Sequence, residues 1–140
     1  MASPQASQKY FAQDNIQMWD HDPGTTAATV ITPDTPTNAR WVDMRDYSQF
    51  GLLVMSSTLT GAGMTLVEIV ANTASDGSGT TVVITTSGAV VADAVGDYVV
   101  LECSQEQLAQ EGSDNSVALR YVAGRVTVAN NADECVATYI

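Results

Sequence analysis

The feature that most narrows the possible folds is the rhythm of its turns. From residue 26 to the end, apolar residues come in short β-branched runs closed by Gly, Pro, Asn, Asp or Ser. Runs of that length and composition form strands, whereas an ordinary helix needs a 3.6-residue period held over roughly ten residues or more. Residues 27–32 (AATVIT) are such a run, stopped by Pro33 and Pro36. Residues 39–44 (ARWVDM) alternate, with Trp41 and Asp43 opposite Arg40, Val42 and Met44. After a turn at 45–48 comes FGLLVMS (50–56), apolar on both faces as a central strand is. Gly61-Ala62-Gly63 turns the chain into MTLVEIVA (64–71), whose one charge, Glu68, is expected on the face of Met64, Leu66 and Val70.

The polar, glycine-rich 72–79 (NTASDGSG) reads as a hairpin loop leading to TTVVITT (80–86). Residues 87–96 are ambiguous, with room for a short strand near Val90. DYVVLEC (97–103) sets Tyr98, Val100 and Glu102 on one face. Ser104 followed by Gln107 fits a capping box, with Leu108 on the buried side and Gly112 as the stop, so a helix of one or two turns is expected. Residues 117–129 (VALRYVAGRVTVA) read as one long strand with a bulge at Gly124, and 135–140 as the last strand. The expected fold is all-β: a β-sandwich of about seven or eight strands over residues 26–140, a jelly roll being one layout that fits, with one short helix. The 140 residues leave room for one such core and an arm.

Residues 1–25 differ. They are rich in Gln, Ser, Ala and Asp, carry Tyr10, Phe11 and Trp19, and end in the breaker Asp22-Pro23-Gly24. They are expected to form an N-terminal extended arm, either frayed or ordered by laying its aromatics on a neighbouring molecule. The first residues lack the basic-then-apolar pattern of a secretory signal, and no stretch approaches the roughly 20 apolar residues of a membrane span. Synthesis in the cytoplasm and no membrane partner are the expectation.

Sixteen Asp and Glu against five Lys and Arg give a formal net charge of -11, which repels phosphate and disfavours nucleic acid or anionic lipid as partners. Beside Lys9, the basic residues are Arg40, Arg45, Arg120 and Arg125, all in or beside expected strands. Arginine suits fixed, partly buried pairs with carboxylates. Two readings stay open: pairing within the chain, with Asp43, Asp46 or Glu102, or contact with a neighbouring subunit. Cys103 and Cys135 sit at the ends of apolar runs and read as buried free thiols, a single bridge being the alternative.

Motifs for chemistry are sparse. The one histidine, His21, falls in the expected arm, a poor support for a triad that needs positioning to about 0.5 Å. The nucleophile elbow and phosphate loop are absent, and Gly61-Ala62-Gly63 joins two strands rather than opening a helix. Asp20, His21 and Asp22 are adjacent and so converge poorly on a metal, and Asp76-Gly77-Ser78-Gly79 lacks calcium-loop spacing. Asp133-Glu134 reads as a solvated lead-in to the last strand. No catalytic residue, cofactor or metal site is expected.

Two blocks carry a resemblance. Val42-Asp43-Met44-Arg45-Asp46-Tyr47-Ser48-Gln49-Phe50 precedes an apolar strand, and Leu119-Arg120-Tyr121-Val122-Ala123-Gly124-Arg125-Val126-Thr127-Val128 follows near the C-terminus. This order resembles a loose group of small bacteriophage virion proteins, in which an I-D-L-R-D-Y type block opens a β-sandwich and an R-Y-V strand comes late. It covers about residues 27–140. It implies a virion structural protein, first of all a capsid decoration (cement) protein whose partners are the major capsid protein and neighbouring copies of itself, a trimer being one arrangement. Contacts are expected from Tyr10, Phe11, Trp19, Arg40, Arg45, Arg120 and Arg125. A head-tail connector or tail ring or tube component is the alternative. A carbohydrate- or ligand-binding sandwich using Trp19, Trp41 and Tyr47 is a third reading.

Overall fold

The computed structural model describes residues 17–31, 41–89 and 93–140. Among them lie nine strands: β1 (Gln17–His21), β2 (Thr29–Val30), β3 (Val42–Asp43), β4 (Gln49–Thr58), β5 (Met64–Asn72), β6 (Thr81–Thr86), β7 (Tyr98–Ser104), β8 (Tyr121–Val128) and β9 (Glu134–Tyr139). A 3-10 turn (Met44–Asp46) separates β3 from β4, and a helix, α1 (Gln105–Asp114), separates β7 from β8. Sheet A has the order β1-β9-β4-β7, and sheet B the order β2-β8-β5-β6 with β3 also on β8.

All pairs are antiparallel and they nest: β1 with β9, β2 and β3 with β8, β4 with β7, β5 with β6. The chain is thus one long hairpin, folded over so that successive nested pairs fall in opposite sheets. That is the jelly-roll form of the sandwich. The all-β sandwich expected from the sequence is what forms.

Alternation fills the space between the sheets. On β4, Phe50, Leu52, Val54 and Ser56 are buried while the residues between them are only half-buried. They meet Val67, Ile69 and Ala71 of β5 and Val122, Val126 and Val128 of β8 in one core with Ile31, Leu101 and Tyr139. Burying a side chain of this kind contributes about 1.5–3 kcal/mol. Gly124 faces the same core, where a Cβ would lie 2.6 Å from Ile31 Cδ1 and 2.9 Å from Leu52, so its bare backbone lets these two side chains close over β8. The Gly124 N–H donates to the Tyr139 hydroxyl across the sandwich at 2.9 Å.

Two buried polar side chains hold the loops. Asn72 donates to the carbonyls of Gly77 and Gly79 and to Thr81 Oγ1, and accepts from the N–H groups of Ala74 and Gly79, which shapes the β5–β6 hairpin loop. Asp133 accepts from the N–H groups of Thr60, Gly61, Gly63 and Asn130, tying the β4–β5 loop to the β8–β9 loop.

Several details depart from the sequence reading. Residues 17–21, expected within the arm, form β1 and pair along β9 from Gln17↔Tyr139 to His21↔Cys135. His21 is buried there, not carried on a flexible tail. The helix runs from Gln105 to Asp114, longer than one or two turns and through Gly112; its capping box at Ser104 and Gln107 forms as expected. Gly112 is needed because a Cβ would meet the Val117 carbonyl at 2.8 Å, not because the helix stops there. Strand β8 begins only at Tyr121, and no pairing irregularity falls at Gly124. The irregularity between Met64 and Leu66 on β5 instead sends Met64 into the core, off the face of Glu68. Asp133 is 1% exposed, so it is no solvated lead-in. Val90, Pro33 and Pro36 lie outside the described residues.

Candidate interaction surface

The described arginines, Arg45, Arg120 and Arg125, lie against carboxylates of their own chain. Arg120 donates from Nε (2.9 Å) and Nη2 (2.6 Å) to the two carboxylate oxygens of Asp43. Arg45 lies 3.6 Å from Asp43 and 3.9 Å from Asp46, with its side chain largely exposed. Arg125 places Nε and Nη2 each 2.7 Å from Glu68 Oε2, a partner the sequence reading had not named. Glu102, which it had named, is exposed on β7. The Arg120 guanidinium hydrogen bonds, then the Arg45 N–H, hold the Asp43 carboxyl well below the ordinary range. Tyr10, Phe11 and Arg40 lie outside the described residues, as does the side chain of Trp19.

The nearest approach to catalytic geometry is a cross-strand row on the inner face of sheet A, where His21 is registered with Cys135 and Cys135 with Ser56. Nucleophile and base types do sit side by side, but inside the core. Burial, then the neighbouring Glu134 charge, pushes the Cys135 thiol up to about 12, so it stays protonated and carries no thiolate to attack with. His21 Nε2 sits 3.1 Å from Thr29 Oγ1 in the opposite sheet. Asp20 and Asp22 are exposed while His21 is buried, so this trio does not converge. No group of three metal-ligating side chains comes together among the described residues. Trp41 lies against Gly77, and Tyr47 packs on the core, which commits both rings to the fold.

What stands open is the outer face of sheet A. Registry aligns its residues in three rows: Ile140, Gly51 and Glu102; Met18, Thr138, Leu53 and Val100; Asp20, Val136, Met55 and Tyr98. Met18 and Tyr98 are each 66% exposed, Ile140 58% and Val100 50%, around half-buried Leu53, Met55 and Val136 and the buried Thr138. Three inter-strand spacings and two row spacings each span about 14 Å between backbone positions, and with about 2 Å of side-chain radius added at each edge the patch covers roughly 300 Å². Its charges are Asp20, Glu102 and Glu134, and no Lys or Arg lies on it among the described residues. Sheet B differs: on its outer face Val70 and Ala123 are fully buried and Glu68 is paired with Arg125.

The sequence held a signal for this face. FGLLVMS is apolar at both parities, as a central strand is. The companion strand DYVVLEC is apolar at both parities too, yet carries Glu102 on the outer one. Two neighbouring strands with that pattern mark a sheet whose second face is apolar, whether covered or open. Neither the protein-family models nor the curated proteins compared with this chain give a match. No helix among the described residues is long and apolar enough to cross a membrane.

Proposed function

We propose that this chain is a non-enzymatic structural protein that works by binding other proteins, and that its setting is a bacteriophage particle, where it decorates and stabilises the capsid shell as a cement protein. The open apolar face of sheet A carries the protein-binding part of this reading. Single exposed apolar residues are ordinary, but a registered patch across four strands is the kind of surface that marks an interaction site. Covering roughly 300 Å² would contribute about 7 kcal/mol from this side of the contact. Association costs of similar size offset that for a single contact. Contact with neighbouring copies, which links several such faces on one shell, converts a modest face into firm attachment.

The virion setting is supported by the resemblance of the blocks 42–50 and 119–128, which the fold brings together. The jelly roll is an architecture used by viral capsid proteins, an argument by analogy. The acidic balance speaks against nucleic acid and anionic membranes as partners. The test is the abundance of this chain relative to the major shell protein in density-purified particles. Rough parity is expected. One ring's worth per particle would move the role to the head-tail axis, and absence from particles would overturn the virion reading.

A further inference from the structure

Resting on that protein-binding reading, we infer that the sheet A face is built for a protein surface with an apolar centre and a rim of Lys and Arg, and not for the same face of a second copy. The apolar patch covers roughly 300 Å², whereas a standard interface takes about 800 Å² from each partner. A stable contact must therefore extend beyond the patch onto its rim. Here that rim is acidic at two opposite places: Glu102 on β7, and Asp20 on β1 beside Glu134 on β9. The described arginines do not offset these charges, because Arg120 and Arg125 are held by Asp43 and Glu68 on the sheet B side and Arg45 sits beside Asp43 and Asp46 in the turn after β3.

Placed face to face, two copies would set acidic rim against acidic rim, each chain carrying a net charge of -11. Like charges at the edge of an apolar contact act against the wrong partner and leave the apolar centre available to the right one. A basic rim satisfies both parts of the surface, the centre by burial and the edge by attraction. Such attraction also raises the rate of encounter and weakens as salt screens it.

The experiment uses the full chain, isotopically labelled, and two synthetic amphipathic peptides with the same apolar residues, one flanked by Lys and Arg, the other by Glu. The basic peptide should perturb the amides of Met18, Leu53, Met55, Tyr98, Val100 and Val136 in the nuclear magnetic resonance spectrum, with affinity falling about tenfold or more on raising salt. The exposed-site double variant D20K/E102K should fold with an unchanged spectrum elsewhere and reverse the preference toward the Glu-flanked peptide. Equal binding of both peptides by the parent chain, or binding away from this face, would overturn the inferred partner chemistry. Concentration-dependent self-association abolished by Val100→Glu would also overturn it, while leaving the face an interaction site. No response of the face to either peptide, from a chain that stays monomeric, would overturn the protein-binding reading as well.

Discussion

Asp43 and Arg120, 77 residues apart, form a two-pronged ion pair that joins β3 to the start of β8. The same Asp43 caps the 3-10 turn by accepting from the Arg45 N–H, and the Met44 N–H donates to the Arg120 carbonyl. The two blocks that carry the resemblance are therefore one physical unit. Arg120→Ala should lower the thermal midpoint clearly more than Arg45→Ala, whose contacts are longer and more exposed. The pH dependence follows from the depressed Asp43 carboxyl. Its folded value lies below an unfolded value near about 3.9, so its stabilisation is present above that pH and fades as pH falls toward the folded value. The gap in thermal midpoint between the parent and Asp43→Asn should narrow as the pH drops below about 4.

Glu68 and Arg125 make a pair of another kind, nearly enclosed on the outer face of sheet B, with side chains 10% and 25% exposed. Removing Arg125 alone strands a buried carboxylate, so Arg125→Met should cost about 2–3 kcal/mol in urea unfolding. The double change Glu68→Met with Arg125→Met should recover much of that loss, because the uncompensated charge is gone. A double-mutant cycle measures it.

Asp133 is the clamp between two loops. Burial opposes its ionisation most, but the N–H groups of Thr60, Gly61 and Gly63 and the Thr60 hydroxyl together outweigh that and keep its carboxyl below the ordinary value. Asp133→Ala should cost about 2–3 kcal/mol and open residues 59–63 and 130–132 to limited proteolysis. As with Asp43, the stabilisation is present above the unfolded value and lost on acidification.

The thiols should be silent in the native protein. Burial pushes Cys103 up to about 11, and Cys135 is raised further, so a thiol reagent at mildly alkaline pH should titrate neither until denaturant is added. Since the folded values are the raised ones, the neutral thiols favour the fold up to the unfolded value near about 8.5. That advantage declines as pH climbs from there toward the folded values.

Gly112→Ala tests the correction to the helix. Alanine is the better helix former by about 1 kcal/mol, yet a Cβ here would press on the Val117 carbonyl at 2.8 Å. The variant should be less stable than the parent in thermal unfolding, against the propensity scale.

The apolar runs FGLLVMS and MTLVEIVA, the Gly61-Ala62-Gly63 turn, the 72–79 loop and the Ser104–Gln107 capping box are local patterns, and each formed where expected as strand, turn, loop or cap. They determined an all-β sandwich, because strand periodicity and turn chemistry are properties of neighbouring residues. Net charge, -11 in total, is likewise additive along the chain. What lies far apart in sequence was decided only by the tertiary structure. Nesting β1 on β9 drew residues 17–21 out of the supposed arm and into the sheet. The approach of residue 133 to residues 60–63 turned an acidic lead-in into a buried clamp, and strand pairing within sheet B committed Arg120 and Arg125 to their own chain. An apolar strand reads the same whether one face or two are covered; which face stays open depends on what the rest of the chain packs against it. Here, among the described residues, Met18, Tyr98 and Val100 stay exposed and Leu53, Met55 and Val136 half-buried.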